Sequence, residues 1–191
     1  ATYILARTEI INDEDVKAEE DYWVAAIEWA DSLGADIVNS SLGYNTFADG
    51  KSYTFADLDG ATALTTIAAD IAVDRGMAVV TSAGNEGDKP WYHIVTPADG
   101  KRVIAVGSVR LDENLQPVVS AFSSRGPSFD GRVKPDFVAL GENVTVARGV
   151  GTGYLSKNGT SYSAPAVTGA AALLLQIHPN WSPVVLYDSL K

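Results

Sequence analysis

The sequence predicts an α/β fold, in which a parallel sheet is flanked by helices on its faces. Two segments carry apolar residues at helical spacing, and several short runs are apolar without interruption. The two kinds of segment alternate along the first half of the chain. Uninterrupted apolar strands are typical of a parallel sheet, because helices cover both of its faces. In such a sheet, function is expected at the carboxyl ends of the strands.

The predicted elements follow one another in a regular order. Strands are expected at Thr2–Ala6, Asp36–Ser40, Met77–Thr81 and Val103–Gly107. Helices are expected at Glu19–Leu33, Asp59–Arg75, Ser161–Ile177 and Ser182–Lys191. Gly34 and Gly76 follow the first two helices, where glycine is a common terminating residue. Residues 108–159 are rich in Gly, Pro and Ser, which predicts loops and hairpins.

Composition restricts the classes of function. The chain has 191 residues, a net charge of −10 and no cysteine. A negative surface argues against nucleic acid and anionic membranes as partners, because both attract Lys and Arg. The absence of cysteine excludes disulfides, thiolate catalysis and cysteine zinc sites. The first residues do not have the pattern of a signal peptide, and the longest apolar stretch, residues 164–177, is too short to span a bilayer.

Ser161 is the strongest candidate for a catalytic residue. It lies in the segment Asn158–Pro165, where a tight turn leads into a strongly apolar helix. The first N–H groups of a helix have no intrahelical partner, and the helix dipole there favours negative charge. A serine at this point can attack a carbonyl while its own N–H binds the oxyanion that forms. The plainer interpretation of Ser161 is a helix N-cap. Pro165 is expected near the first turn, where its missing N–H costs least.

Two loops that follow predicted strands supply further candidates. Asn85 ends the segment Ser82–Asn85, and its amide can serve as a second donor to the same oxyanion. We therefore expect Asn85 and Ser161 to lie close together. The segment Ser41–Gly43 ends another strand, and its free backbone groups can pair with an extended peptide.

These segments resemble the motifs of the subtilisin-like serine proteases. The run Gly159–Ser161, followed by a small residue and Pro165, resembles the nucleophile motif of that family. The segment Ser82–Asn85 resembles its oxyanion-hole loop, and Ser41–Gly43 resembles its substrate-binding strand. Ser124–Pro127 and Lys134–Asp136 are similar to downstream structural motifs, in the order of the family. The resemblance covers essentially the whole chain and implies a subtilisin-like three-layer α/β/α fold.

The resemblance also implies an activity and roles for residues. It implies a serine endopeptidase that hydrolyses peptide bonds of protein or peptide substrates through an acyl-enzyme on Ser161. Asn85 and the N–H of Ser161 would form the oxyanion hole. The residues implied to bind substrate beside the scissile bond are Ser41, Leu42, Gly43, Ser82, Ala83 and Gly84. Leu42 and the small residues of this set permit a moderately large apolar side chain in the cleft.

Cofactors and location follow only by resemblance. Calcium is frequent in the family, but no acidic loop of this sequence has a convincing ligand spacing, so no metal ligand is predicted. No other cofactor is identifiable. Family members are commonly secreted or located at the cell surface, and we expect the same here.

The Asp and His motifs of the family are not in this sequence. Because the family order is Asp, His, Ser, we expect these residues to precede Ala1. Residues 1–191 are therefore predicted to be a partial peptidase domain with its N-terminal part missing. His93 stands in the wrong order for the base, and His178 would lie roughly 25 Å along the helix from Ser161.

The expected consequences concern activity and partners. The chain alone should be inactive, and it should need the N-terminal part of its own domain or self-associate. Two alternatives to a subtilisin-like protease are open. The serine carboxyl proteases have an Asp where this chain has Asn85, which disfavours them. A non-catalytic subtilisin-like domain that binds peptides or acts as a scaffold is the other alternative.

Overall fold

Helices and strands alternate along the first part of the chain, as the apolar pattern predicts. The computed structural model describes residues 1–10 and 14–191. The helices are α1 (Lys17–Ser32), α2 (Leu64–Asp74), α3 (Thr160–Ile177) and α4 (Pro183–Leu190), with a short 3₁₀ helix at Phe55–Asp57. The strands are β1 (Ile37–Ser40), β2 (Ala78–Ser82), β3 (Ile104–Leu111), β4 (Pro117–Val119), β5 (Phe137–Leu140), β6 (Val144–Ala147) and β7 (Tyr154–Lys157).

The main sheet is parallel except for one strand. Strands β1 and β2 pair in parallel, with Ser40 opposite Thr81, and β2 and β3 pair in parallel, with Ser82 opposite Val106. Further along, β3 pairs in parallel with β5 and antiparallel with β4. The predicted α/β class is therefore confirmed. Strands β6 and β7 form a separate hairpin around the glycine-rich loop at residues 148–153, inside the region that the sequence assigns to loops and hairpins.

Helices cover both faces of the sheet. On one face, α1 and α2 pack together over Trp23, Ile27 and Val79. On the other face, α3 packs against Val80, Val106 and their neighbours. Val79 and Val80 are adjacent in β2 and face opposite sides, because side chains alternate along a strand. The result is the three-layer α/β/α arrangement that the resemblance implies. No helix in the described residues has the length and apolar character that crossing a bilayer requires.

Some element predictions were wrong. Thr2–Ala6 forms no strand, and Tyr3 and Leu5 are 87% and 91% exposed. The reason is that, among the described residues, this run pairs with no strand edge. Phe137–Leu140 lies in the region assigned to loops and hairpins, yet it joins the parallel sheet as β5. Helix α2 begins at Leu64 rather than near Asp59, whose carboxylate instead accepts the N–H groups of the turn that follows it.

Candidate active site

Three chain segments meet at the carboxyl end of the sheet. The parallel register of β1 and β2, with Ser40 opposite Thr81, brings the loops after the two strands side by side. The Ser82 hydroxyl donates to the carbonyl of Leu42 at 3.4 Å and links these two loops. The N–H of Gly84 donates to Oγ1 of Thr160 at 3.2 Å and links the second loop to the start of α3. The three segments of the predicted site therefore come together.

Asn85 is bound to the residue before Ser161. Its Oδ1 accepts the backbone N–H of Thr160 at 2.8 Å and the Thr160 hydroxyl at 3.1 Å. These bonds fix the orientation of the amide, because they use its oxygen. Nδ2 is then the end of the amide that can donate a hydrogen bond to another group. Asn85 is thus held beside the serine through Thr160.

Ser161 lies in the first turn of α3 and exchanges hydrogen bonds with Ser41. The Ser161 hydroxyl donates to the carbonyl of Ser41 at 3.1 Å. The Ser41 hydroxyl donates to the carbonyl of Ser161 at 2.9 Å. The nucleophile candidate and the end of β1 are therefore bound to each other in both directions.

Pro165 explains why the carbonyl of Ser161 is available. It is the sixth residue of α3, just after the first turn, near which the sequence predicts it. Proline has no N–H, and in a regular helix the N–H at this position would bond to the carbonyl of Ser161. That carbonyl accepts the Ser41 hydroxyl instead. The proline therefore opens a helical hydrogen bond at the point where α3 contacts β1.

Hydrogen bonds attach the start of α3 to neighbouring segments of the sheet. Gly159 precedes the helix with φ of +149°, a conformation that glycine adopts readily, and its N–H donates to the carbonyl of Gly141 at 2.8 Å. The Ser163 hydroxyl donates to the carbonyl of Ala139 in β5 at 3.1 Å. Ser161 is thus positioned by a helix whose first turn is attached to the sheet, with the positive end of the helix dipole beside it.

The remaining polar candidates have structural surroundings. His93 stacks on Phe55 with the ring centres 4.0 Å apart, and His178 stacks on Trp181 at the same distance. The side chain of Asp136 is 7% exposed, and its carboxylate accepts Lys134 Nζ at 2.7 Å and the Tyr187 hydroxyl at 2.8 Å. Burial lowers the pKa of Lys134, while the Asp136 carboxylate opposes that shift. This network ties the segment before β5 to α4.

A carboxylate cluster was not foreseen from the sequence. Oxygens of Glu9, Asp15 and Glu19 all lie within 4.8 Å of one another. Burial, and then the charges of Glu19 and Glu9, raise the pKa of Asp15 to about 6. The cluster already has protein partners, because Glu9 accepts the Tyr44 hydroxyl at 2.7 Å and Glu19 accepts two backbone N–H groups. The density of acidic residues between 13 and 21 was its signal, but that density does not show that Glu9 joins the group.

Comparison with known protein families gives one consistent result. The model of the Subtilase family matches residues 11–191. Subtilisin E of Bacillus subtilis (strain 168) is 36% identical over 171 residues, which are 88% of this chain and 38% of that protein. Subtilisin of Bacillus pumilus is 37% identical over 171 residues, which are 88% of this chain and 53% of that protein. The chain thus spans between about two fifths and about half of the length of these relatives.

Solved structures agree with these sequence matches. Sphericase superposes with a TM-score of 0.70 at 26% identity, covering 90% of this chain and 54% of that one. S41 psychrophilic protease superposes with a TM-score of 0.67 at 28% identity, with the same coverage of both chains.

Proposed function

The chain belongs to the subtilase family, and we propose that the full-length protein is a serine endopeptidase that hydrolyses peptide bonds through an acyl-enzyme on Ser161. The observation that supports this proposal is the position of Ser161. It lies in the first turn of α3, beside Asn85 and against the end of β1. A serine that only caps a helix does not need Asn85 and the end of β1 beside it. These two neighbours therefore favour the catalytic interpretation.

The oxyanion is proposed to be bound by two donors, the N–H of Ser161 and Nδ2 of Asn85. Donors that are oriented before the reaction stabilise the transition state without a further free-energy cost of reorganisation. The bonds from Thr160 to Oδ1 of Asn85 supply that orientation. The N–H of Ser161 is available because it belongs to the first helical turn.

The substrate chain is proposed to lie along the loop after β1. An extended peptide can add to Ser41–Gly43 through backbone hydrogen bonds. Its carbonyl would then approach the Ser161 hydroxyl, which now donates to the carbonyl of Ser41. That bond must break when the serine attacks, so it holds the hydroxyl at the cleft before substrate arrives.

The general base is proposed to come from the part of the family domain that carries its Asp and His. A backbone carbonyl accepts a hydrogen bond but does not take up the proton, so Ser41 cannot activate Ser161. A serine hydroxyl without an adjacent base is a weak nucleophile. The 191-residue chain alone is therefore proposed to be inactive. Secretion and calcium binding remain predictions from the family resemblance, and we assign no ion to the carboxylates Glu9, Asp15 and Glu19.

Labelling with a fluorophosphonate probe tests the proposal. The full-length protein should react stoichiometrically at Ser161, and the 191-residue chain should not react at a comparable rate. Ser161→Ala should abolish the labelling. Ser163→Ala is the matched control, because Ser163 lies in the same helical turn and bonds to β5 instead of β1. Labelling that survives Ser161→Ala would assign the nucleophile elsewhere.

The oxyanion assignment has its own test. In the full-length enzyme, Asn85→Ala should lower kcat by about 10²–10³, a magnitude measured for an oxyanion donor of subtilisin and carried over to this relative. KM should change little if the amide acts mainly in the transition state. An unchanged kcat would remove Asn85 from the mechanism. A full-length protein that folds, binds peptides and resists the probe would instead support the non-catalytic subtilisin-like domain.

A further inference from the structure

A chain of polar side chains joins α3 to β1 and ends on Ser161. The Thr168 hydroxyl donates to Oδ1 of Asn39 at 2.9 Å. Nδ2 of Asn39 donates to the hydroxyl oxygen of Ser41 at 3.1 Å. The Ser41 hydroxyl in turn donates to the carbonyl of Ser161 at 2.9 Å. Each residue in the middle of the chain therefore accepts one hydrogen bond and donates the next.

The spacing of these residues explains why they meet. Ser40 is buried and its hydroxyl bonds to α1 on one face of the sheet. Side chains alternate along an extended segment, so Asn39 and Ser41 point to the opposite face, which α3 covers. Ser161 and Thr168 are seven residues apart in α3, which is about two helical turns, so they share one face of the helix. Two polar side chains on each element therefore lie opposite one another.

The bond from Ser41 replaces one that the helix cannot make. In a regular helix a carbonyl accepts the N–H of the fourth residue along, but for Ser161 that residue is Pro165. The peptide group after Ser161 therefore depends on Ser41 for this bond. The second bond between the two serines, from the Ser161 hydroxyl, must break when that oxygen attacks a substrate. The bond to the carbonyl can persist throughout the reaction.

Asn39 is an unusual residue for the inside of a strand. Asparagine is depleted in strands, and Asn39 is exposed, so packing does not account for its position in β1. Thr168 also lies 2.9 Å from the carbonyl of Ala164 and shares its single hydroxyl proton between two acceptors. What these contacts have in common is that they orient the Asn39 amide, with its oxygen towards α3 and its nitrogen towards Ser41.

We propose that Asn39 is a positioning residue for the reaction, which acts on Ser161 through the Ser41 hydroxyl. This inference rests on the proposed protease function. Nδ2 of Asn39 holds the Ser41 hydroxyl in the direction of the Ser161 carbonyl, and Thr168 holds the amide in the orientation that this requires. Ser161 carries both the attacking oxygen and one oxyanion donor, so a shift of its backbone displaces both. Such a shift slows the chemical step, because the reacting atoms must be aligned.

Asn39→Asp in the full-length enzyme tests the inference. The carboxylate is as large as the amide but cannot donate, and it would draw the Ser41 hydroxyl proton away from Ser161. The value of kcat per active site should fall by about tenfold, and KM should change by less than about threefold. Active sites are counted with the fluorophosphonate probe, so unfolded molecules of a variant do not enter the comparison.

The same substitution in a Ser41→Ala background separates positioning from the effect of the added charge. Without the Ser41 hydroxyl, Asn39 has nothing to position, so Asn39→Asp should then change kcat by less than about twofold. An effect of the charge on the general base would instead persist in both backgrounds. Asn114→Asp adds the same charge in the exposed turn before β4, and this control should leave kcat unchanged.

Thr168 provides an independent check. Thr168→Val removes the hydroxyl and should lower kcat by about threefold or more, whereas Thr168→Ser keeps the hydroxyl and should retain the wild-type kcat. Equal kcat values for these two variants would overturn the role of Thr168.

Two results would overturn the role of Asn39 and leave the protease function intact. One is an unchanged kcat in Asn39→Asp, and the other is an equal loss with and without the Ser41 hydroxyl. A full-length protein that cleaves no peptide and resists the fluorophosphonate probe would overturn the proposed function, and this inference with it.

Discussion

Two apolar runs of similar composition form different structures in this molecule: one is a buried strand and the other is exposed and irregular. Thr2–Ala6 and Met77–Thr81 are each five residues long and were both predicted to be strands. Most of the second run lies in β2, which has a parallel partner on each side and helices on both faces. The first run is largely exposed and, among the described residues, pairs with nothing regular. Strand formation is therefore decided by the edges and helices that a run meets, and not by its residues alone.

The surroundings of Ser161 also differ between the side that faces β2 and the side that faces β1. Towards β2, Asn85, Thr160 and Gly84 form a connected set of hydrogen bonds. Towards β1, the serine hydroxyl contacts a backbone carbonyl where a base would be needed. In the described residues, β1 pairs only with β2, so its outer edge is open on this side. Both proposed oxyanion donors, the amide of Asn85 and the N–H of Ser161, belong to this chain, whereas the proposed base does not.

The largest expected effect is a difference between the two runs in how much a substitution lowers the free energy of unfolding. Met77 is 2% exposed and packs in the cluster around Trp23, so Met77→Ala should lower the free energy of unfolding by about 2–5 kcal/mol. Leu5→Ala in the 191-residue chain should change it by no more than about 0.5 kcal/mol, because Leu5 is already in solvent. Urea denaturation measures both. Equal losses would show that Thr2–Ala6 is buried in solution, and the contrast between the runs would fail.

The next effect concerns association. The open edge of β1 and the exposed apolar run Thr2–Ala6 are both features that recruit further strands. We predict that the 191-residue chain self-associates in sedimentation experiments, although its net charge of −10 opposes this. Leu5→Lys should reduce the association, because a charge on a pairing run blocks it. The matched control is Leu115→Lys, at an exposed leucine in the turn before β4, which should have little effect. A well-behaved monomer with a cooperative melt would contradict this prediction.

The smallest effect is a pH dependence near the first run. The pKa of Asp15 is raised to about 6 in the folded state, above its ordinary value of 3.8. The folded state therefore binds more protons than the unfolded state between these values, and this contribution to stability is lost as pH rises from about 4 to about 6. Asp15 is partly exposed, so the change should be no more than about 1 kcal/mol.

Thermal melts of the wild type and of Asp15→Asn at several pH values measure this change. The stability of the wild type relative to the variant should fall across that interval and stay constant above about pH 7. A difference that rises with pH, or that does not vary with pH, would show that the carboxylates around Asp15 are arranged differently.

The sequence by itself determined the α/β class and the main candidate residues. Continuous apolar runs and helical periodicity are local properties, and they were enough to place α1, β1, β2, β3 and α3. A serine at the start of an apolar helix and an asparagine after a buried strand are also local patterns. Because both residues can donate to the same oxyanion, these patterns predicted that Asn85 and Ser161 come together. The structure binds Asn85 to Thr160, next to the serine.

Only the tertiary structure decided which contacts the same residues make. It left Thr2–Ala6 exposed, since strand pairing needs an edge that no local pattern reveals. It joined Glu9 to Asp15 and Glu19, and it placed Val95 between Gly43 and Gly84. Val95 is far from Gly43 in the sequence, so their contact cannot be derived from any motif. The physical reason is that motifs record backbone geometry and chemistry at one point, whereas tertiary contacts depend on which distant segments the fold brings together.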